Sequence, residues 1–250
     1  MPCHGHALAT NAVVVATLLL SRPVFADLDI SALLKQQRSG SGTQSSAPAL
    51  QLPSPKIAPA ANATVTPKEN AGTAGSHFGN AVALDTPSAT KDALLRASDL
   101  YRKAAELGHT KAQTALGLMF AQGHGVKSDD ERAAFWLSKA AASGNALAQY
   151  SLGLLYYEGR GTEQDYSQAI SLYRTAASNG NAKAMNNLGI MHALGHGVSE
   201  HNPTALAWFS LATQAGSEDA KSNAELLRQE LTGPEISKSE QIELRLRNEL

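Results

Sequence analysis

A single cysteine, Cys3, stands in the whole 250-residue chain. That excludes a disulfide framework, a cysteine-rich zinc module and a CxxC redox pair. Aromatic residues are scarce at 5%, while glycine takes 20 positions. This suits helices in close contact better than an aromatic-rich β core. Net charge is only -1, so the chain lacks the basic footprint expected for nucleic acid or an anionic membrane. The longest apolar run, Ala7 to Leu20, falls short of the roughly 20 residues a membrane-spanning helix needs. No HExxH, GxSxG or Walker pattern occurs. No metal or cofactor is expected.

The two ends of the chain differ in kind. Residues 1–26 read as an export signal: the apolar run is broken by Ser21, Arg22 and Pro23, and Val24-Phe25-Ala26 offers small residues for cleavage after Ala26. Cleavage removes Cys3 and leaves a thiol-free chain suited to an oxidising compartment. Residues 27–38 form a short amphipathic segment carrying Leu28, Ile30, Leu33 and Leu34. Residues 39–90 hold six of the ten prolines, four charges and one aromatic, Phe78, with no helical or strand period. Such a stretch is expected to remain a disordered linker, since it buries too little apolar surface to offset ordering.

From Lys91 onward the chain repeats itself every 36 residues. Ala112, Ala148 and Ala184 coincide, as do Leu116, Leu152, Leu188 and the glycines after them, Gly117, Gly153 and Gly189. Gly125, Gly161 and Gly197 recur, and so do Gly144, Gly180 and Gly216. Eight positions are identical in all three copies without an insertion. Each unit reads as two helices. Ala112, Leu116, Met119 and Phe120 fall at i, i+4, i+7 and i+8, one helical face. A Gly-x-Gly turn follows. The second helix is expected to start near Ser128 or Asp129, and at Asn202-Pro203 in the third copy, with Trp136 and Trp208 facing inward. Gly144, Gly180 and Gly216 are expected to stop it at positive φ. Gly117, Gly153 and Gly189 lie mid-helix, where glycine costs about 1 kcal/mol against alanine, so a close approach of two helix axes is expected there.

These units resemble Sel-1-like repeats, relatives of the tetratricopeptide repeat: Ala112, Leu116-Gly117, Phe120, Gly123-His124-Gly125-Val126, Asp129, Ala133, Trp136, Ala140-Ala141 and Gly144 follow the family's pattern. His192 departs from it where the other copies carry Phe120 and Tyr156, and His201 where they carry Asp129 and Asp165. The resemblance implies an all-α fold, a right-handed α-solenoid spanning 91–232, with full repeats at about 110–145, 146–181 and 182–217. Residues 91–107 read as a lone second helix opening the array, and 233–250 as a capping helix. The resemblance also implies a protein that binds other proteins or glycans without chemistry of its own, and exported members resemble periplasmic adaptors.

By analogy with tetratricopeptide arrays, the concave side comes from first-helix positions. Tyr150, Leu154, Tyr157, Glu158, Asn186 and Ile190 are the expected binding residues, tyrosine offering contact area at low entropy cost. Leu154 and Ile190 have an alternative reading as packing between neighbouring repeats. A protein or peptide partner is expected, and two tyrosines with an amide also suit a sugar. Ser88-Ala89-Thr90-Lys91 matches the Ser-x-x-Lys nucleophile pattern of penicillin-recognising enzymes, but no companion Ser-Asp-Asn or Lys-Thr-Gly accompanies it. His124 and His196, at equivalent turn positions with Arg160 between them, read as solvated turn residues too far apart to share a metal.

Overall fold

A computed structural model of the chain describes residues 67–250. The expected signal (1–26), the amphipathic segment (27–38) and residues 39–66 of the expected linker lie outside the described residues. Among the described residues there are ten helices and no strand. They are α1 (Pro67–Leu84), α2 (Lys91–Glu106), α3 (Thr110–Gln122), α4 (Asp130–Ala142), α5 (Ala146–Glu158), α6 (Tyr166–Ser178), α7 (Ala182–Leu194), α8 (Asn202–Gln214), α9 (Glu218–Glu230) and α10 (Gly233–Glu249).

Consecutive helices pack in pairs, α3 with α4, α5 with α6, α7 with α8, and each pair stacks on the next. The described residues form an α-solenoid. The period in sequence becomes a period in capping. His109, Asn145, Asn181 and Ser217 each accept the backbone N–H three residues on, from Ala112, Ala148, Ala184 and Ala220, satisfying a donor that the first helical turn leaves free. All four alanines are fully buried. The second helices are capped by Asp129, Asp165 and His201, which accept from the N–H groups of Arg132, Gln168 and Thr204. Of the two expected starts in the first copy Asp129 is the cap, whereas in the third copy Asn202 is already the first helical residue and His201 caps it.

The mid-helix glycines answer to close packing. A Cβ built on Gly117 would lie 2.7 Å from Leu137 Cγ, one on Gly153 2.7 Å from Tyr173 Cε1, and one on Gly189 2.5 Å from Phe209 Cδ1. Each glycine therefore lets the bulky inward residue of its partner helix rest on backbone. Gly144, Gly180 and Gly216 have φ of +81°, +79° and +92°, as the stop position requires.

Two expectations are corrected. Residues 67–84 are not linker but helix, and α2 is not alone: α1 packs along it as the first helix of an incomplete leading repeat. Ala74, Phe78, Ala81 and Val82 repeat the i, i+4, i+7, i+8 face of α3, and Ala74 and Ala81 are buried. Ordering is favourable here because Tyr101 and Ala97 of α2 supply the apolar surface to be covered. At the other end α10 does not pair with α9 as a second helix should. It lies along α8, and Ile242 and Ser239 are buried against the array.

Candidate functional site

The side chains expected on the concave face separate by burial. Tyr150, Asn186 and Ile190 are buried at 8%, 6% and 1% exposure. Tyr150 packs on Tyr173, ring centroids 6.0 Å apart, and Asn186 Oδ1 accepts from Asn223 Nδ2 of α9 at 2.9 Å. Asn186 thus ties its repeat to the next helix pair, the Tyr150 ring packs within its own repeat, and the burial of Ile190 agrees with its packing reading. Leu154, Tyr157 and Glu158 remain partly exposed. They sit at i, i+3 and i+4 on the last turn of α5, so they share a face. With Tyr150 enclosed, the pair of tyrosine faces considered for a sugar is reduced to one.

That turn of α5 meets the Gly-x-Gly turns, whose middle residues are partly exposed and also bonded to neighbouring side chains. Arg160 donates from Nε and Nη2 to the two carboxylate oxygens of Asp130 at 3.1 and 2.7 Å, and from Nη2 to the Ala121 carbonyl at 2.8 Å. A planar fork matching a carboxylate in this way gives both energy and direction. Nη1 reaches Glu158 at 3.2 Å. Burial pushes the Glu158 carboxyl up, with Arg160 pulling the other way, and its second oxygen has no hydrogen-bond partner. His196 Nδ1 lies 2.9 Å from the Tyr157 hydroxyl, and its ring stacks on Tyr166 at 5.0 Å between centroids. Burial lowers the His196 pKa and raises that of Tyr157 to about 12. His124 Nε2 reaches Asp85 at 3.2 Å, and the buried Asp85 carboxylate also accepts from the Tyr101 hydroxyl. These turn residues keep part of their surface in solvent, and each also reaches back into the preceding repeat. The second glycine of each turn makes room for this. Its Cβ would strike Leu94 at Gly125, the Asp130 carbonyl at Gly161 and Tyr166 at Gly197.

Other candidates take structural places. Trp136 and Trp208 are core residues, and His109 caps α3 while stacking on Phe78 at 4.4 Å. Ser88 and Lys91 are both exposed, on the turn into α2 and its first residue. Among the described residues no group of three or more His, Cys, Asp or Glu is placed to hold a metal, and no helix is long and apolar enough to cross a membrane. What the geometry offers is an edge of apolar, aromatic and charged side chains at the last turn of α5.

Fold and edge together define a helical-repeat scaffold. The Sel1 repeat model matches residues 90–109, 110–145, 146–181 and 182–217, and the chain belongs to the Sel1 repeat family, whose repeats commonly mediate protein–protein interaction. A Sel1 repeat protein from Oxalobacter formigenes is similar at 28% identity and TM-score 0.51, over 63% of this chain and 70% of that one. A protective antigen of uropathogenic Escherichia coli with an SLR fold matches at 24% identity and TM-score 0.47, over 69% of this chain and 45% of its own. No curated protein matches the sequence.

Proposed function

We propose that this chain is exported, cleaved after Ala26, and acts without chemistry of its own as an adaptor holding a partner protein or peptide at the α5 edge. The carrying observation is the partly exposed set Leu154, Tyr157 and Glu158 beside Arg160 and His196. An apolar residue, a ring and a carboxylate paired with Arg160 share one helical turn, backed by side chains that neighbouring repeats fix in place. Such preorganisation lowers the entropy lost on binding. The sequence supports export through its leading apolar run and small-residue cleavage site.

The test is a partner captured with the full chain, followed by affinity measurements on variants. Leu154→Asp should weaken that complex tenfold or more, while Ser138→Asp on the exposed face of α4 should not. Equal affinities for both variants would sink the edge as the binding site. Cell fractionation with mass spectrometry should find the chain outside the cytoplasm starting at Asp27; retention with Met1 would overturn export.

A further inference from the structure

The two departures from the repeat pattern, His192 and His201, line one and the same cleft of about 620 Å³. Its other wall is α10, which presents Lys238, Gln241, Ile242 and Arg245 to it. These fall at i, i+3, i+4 and i+7, one helical face. The cleft exists because α10 lies along α8 instead of pairing with α9.

The equivalent corner of the first full repeat carries its own cation. There Arg132 lies over the Phe120 ring at 5.0 Å and pairs with Asp129 at 2.7 Å. In the third repeat all three positions have changed together, to Thr204, His192 and His201. The ring has shrunk, the carboxylate is gone, and the cation now comes from α10. No carboxylate lines the cleft. Arg245 reaches only Glu249 of its own helix, at 3.9 Å with both side chains exposed. His201 Nδ1 accepts the Thr204 N–H at 3.1 Å, which leaves the ring proton of the neutral imidazole on Nε2 as a donor. His192 Nδ1 is buried without a partner. Val198 and Ile242 supply an apolar lining between these groups.

We propose that this corner is a second binding site, separate from the α5 edge, and that it takes an acidic peptide from a partner protein. Lys238 and Arg245 are seven residues apart, about 10 Å along the helix. In a polyproline II peptide, with three residues per turn and a rise of about 3.1 Å, carboxylates three residues apart share one face and are separated by about 9 Å. A peptide with acidic residues at i and i+3 therefore reaches both cations at once, with its apolar residue flanking that face beside Ile242. Charge complementarity of this kind selects the partner and its register.

The probe is acetyl-Glu-Ala-Leu-Glu-amide, titrated against the full chain and followed by NMR at the Ile242 methyl groups and by calorimetry. It should bind at least tenfold more tightly than acetyl-Gln-Ala-Leu-Gln-amide. The double variant Lys238→Gln, Arg245→Gln should melt like the parent and lose that preference. The double variant Lys238→Glu, Arg245→Glu should instead prefer acetyl-Lys-Ala-Leu-Lys-amide. Tyr157→Ala should leave peptide binding unchanged; loss of binding there would move the peptide to the α5 edge and overturn the proposal. Equal affinity for the acidic and amide peptides would overturn it as well. Full competition by equimolar inorganic phosphate would show a general anion site and overturn the peptide assignment.

Discussion

The Tyr157 hydroxyl lies 2.9 Å from His196 Nδ1, thirty-nine residues along the chain. The same offset joins Arg160 to the Ala121 carbonyl and His124 to Asp85. Each Gly-x-Gly turn thus sends its middle side chain to one place in the preceding repeat, while the chemistry of the contact varies. In a solenoid, stability is a sum of repeat and nearest-neighbour terms, and these contacts belong to the second kind.

Arg160 should be the strongest of the three ties. Arg160→Ala removes both bonds to Asp130 and the one to the Ala121 carbonyl. The guanidinium and its partner are 37% and 34% exposed, so solvent screening holds the expected loss to about 1 kcal/mol. Arg160→Lys should recover less than half, because an ammonium cannot match the fork. Denaturant titration with a double-mutant cycle against Asp130→Asn measures it.

Two glycines with positive φ should respond very differently to alanine. At Gly144 (φ +81°) the added methyl meets open space, so only backbone strain of roughly 1–2 kcal/mol applies. At Gly161 (φ +64°) it would run into the Asp130 backbone. Overpacking adds about 1–3 kcal/mol to the same strain. Gly161→Ala should therefore melt below Gly144→Ala, and Gly153→Leu, aimed at the Tyr173 ring, should melt below wild type.

Acid should weaken the fold from about pH 6.5 downward through its buried histidines. Burial lowers the pKa of His192 to about 4, and those of His109 and His196 in the same direction. In the unfolded chain an imidazole binds its proton near pH 6.5. Between about pH 6.5 and 4 the unfolded state thus holds more protons, so stability falls as pH falls through that window. Below pH 4 His192 contributes no further loss. His192→Phe, which restores the aromatic of the other repeats, should shrink the drop in melting temperature between pH 7 and pH 5. An unchanged drop would remove His192 from the explanation.

Helix α1 should stabilise the array. Deleting residues 1–66 is expected to leave the melting temperature nearly unchanged, whereas deleting 1–90 exposes Tyr101 and Ala97, and hydrogen exchange across 91–106 should quicken. If both truncations melt alike, α1 contributes nothing to the core.

The repeat domain was legible because its determinants are local and periodic. Leu116, Gly117 and Gly144 recur with their partners at fixed spacing, and helical periodicity turns that spacing into faces. The α1 helix was not legible, because it carries neither Leu-Gly nor Gly-x-Gly. Gly75 and Gly79 lower its propensity, and its Ala74–Phe78–Ala81 face is favourable only against α2. The site was legible in part. Spacing placed Tyr150, Tyr157 and Asn186 on first helices, but how tightly successive repeats stack decides whether such a face is groove or core, and no pattern within one repeat encodes that. The contacts of Arg160 and His196 were hidden for the same reason, since their partners lie in the repeat before. One signal was available: residue 160 is arginine and residue 130 aspartate, thirty positions apart in an otherwise regular period.

An adaptor built this way holds its partner at the last turn of α5. Site-specific photocrosslinking tests it most directly, with a benzophenone side chain placed at Leu154 or at Ser138 in the full chain inside the cell. A discrete adduct from position 154, absent from 138 and lost when Tyr157→Ala is added, is the predicted result. Adducts of equal yield from both positions, or none from 154 while the partner still co-purifies, would contradict it.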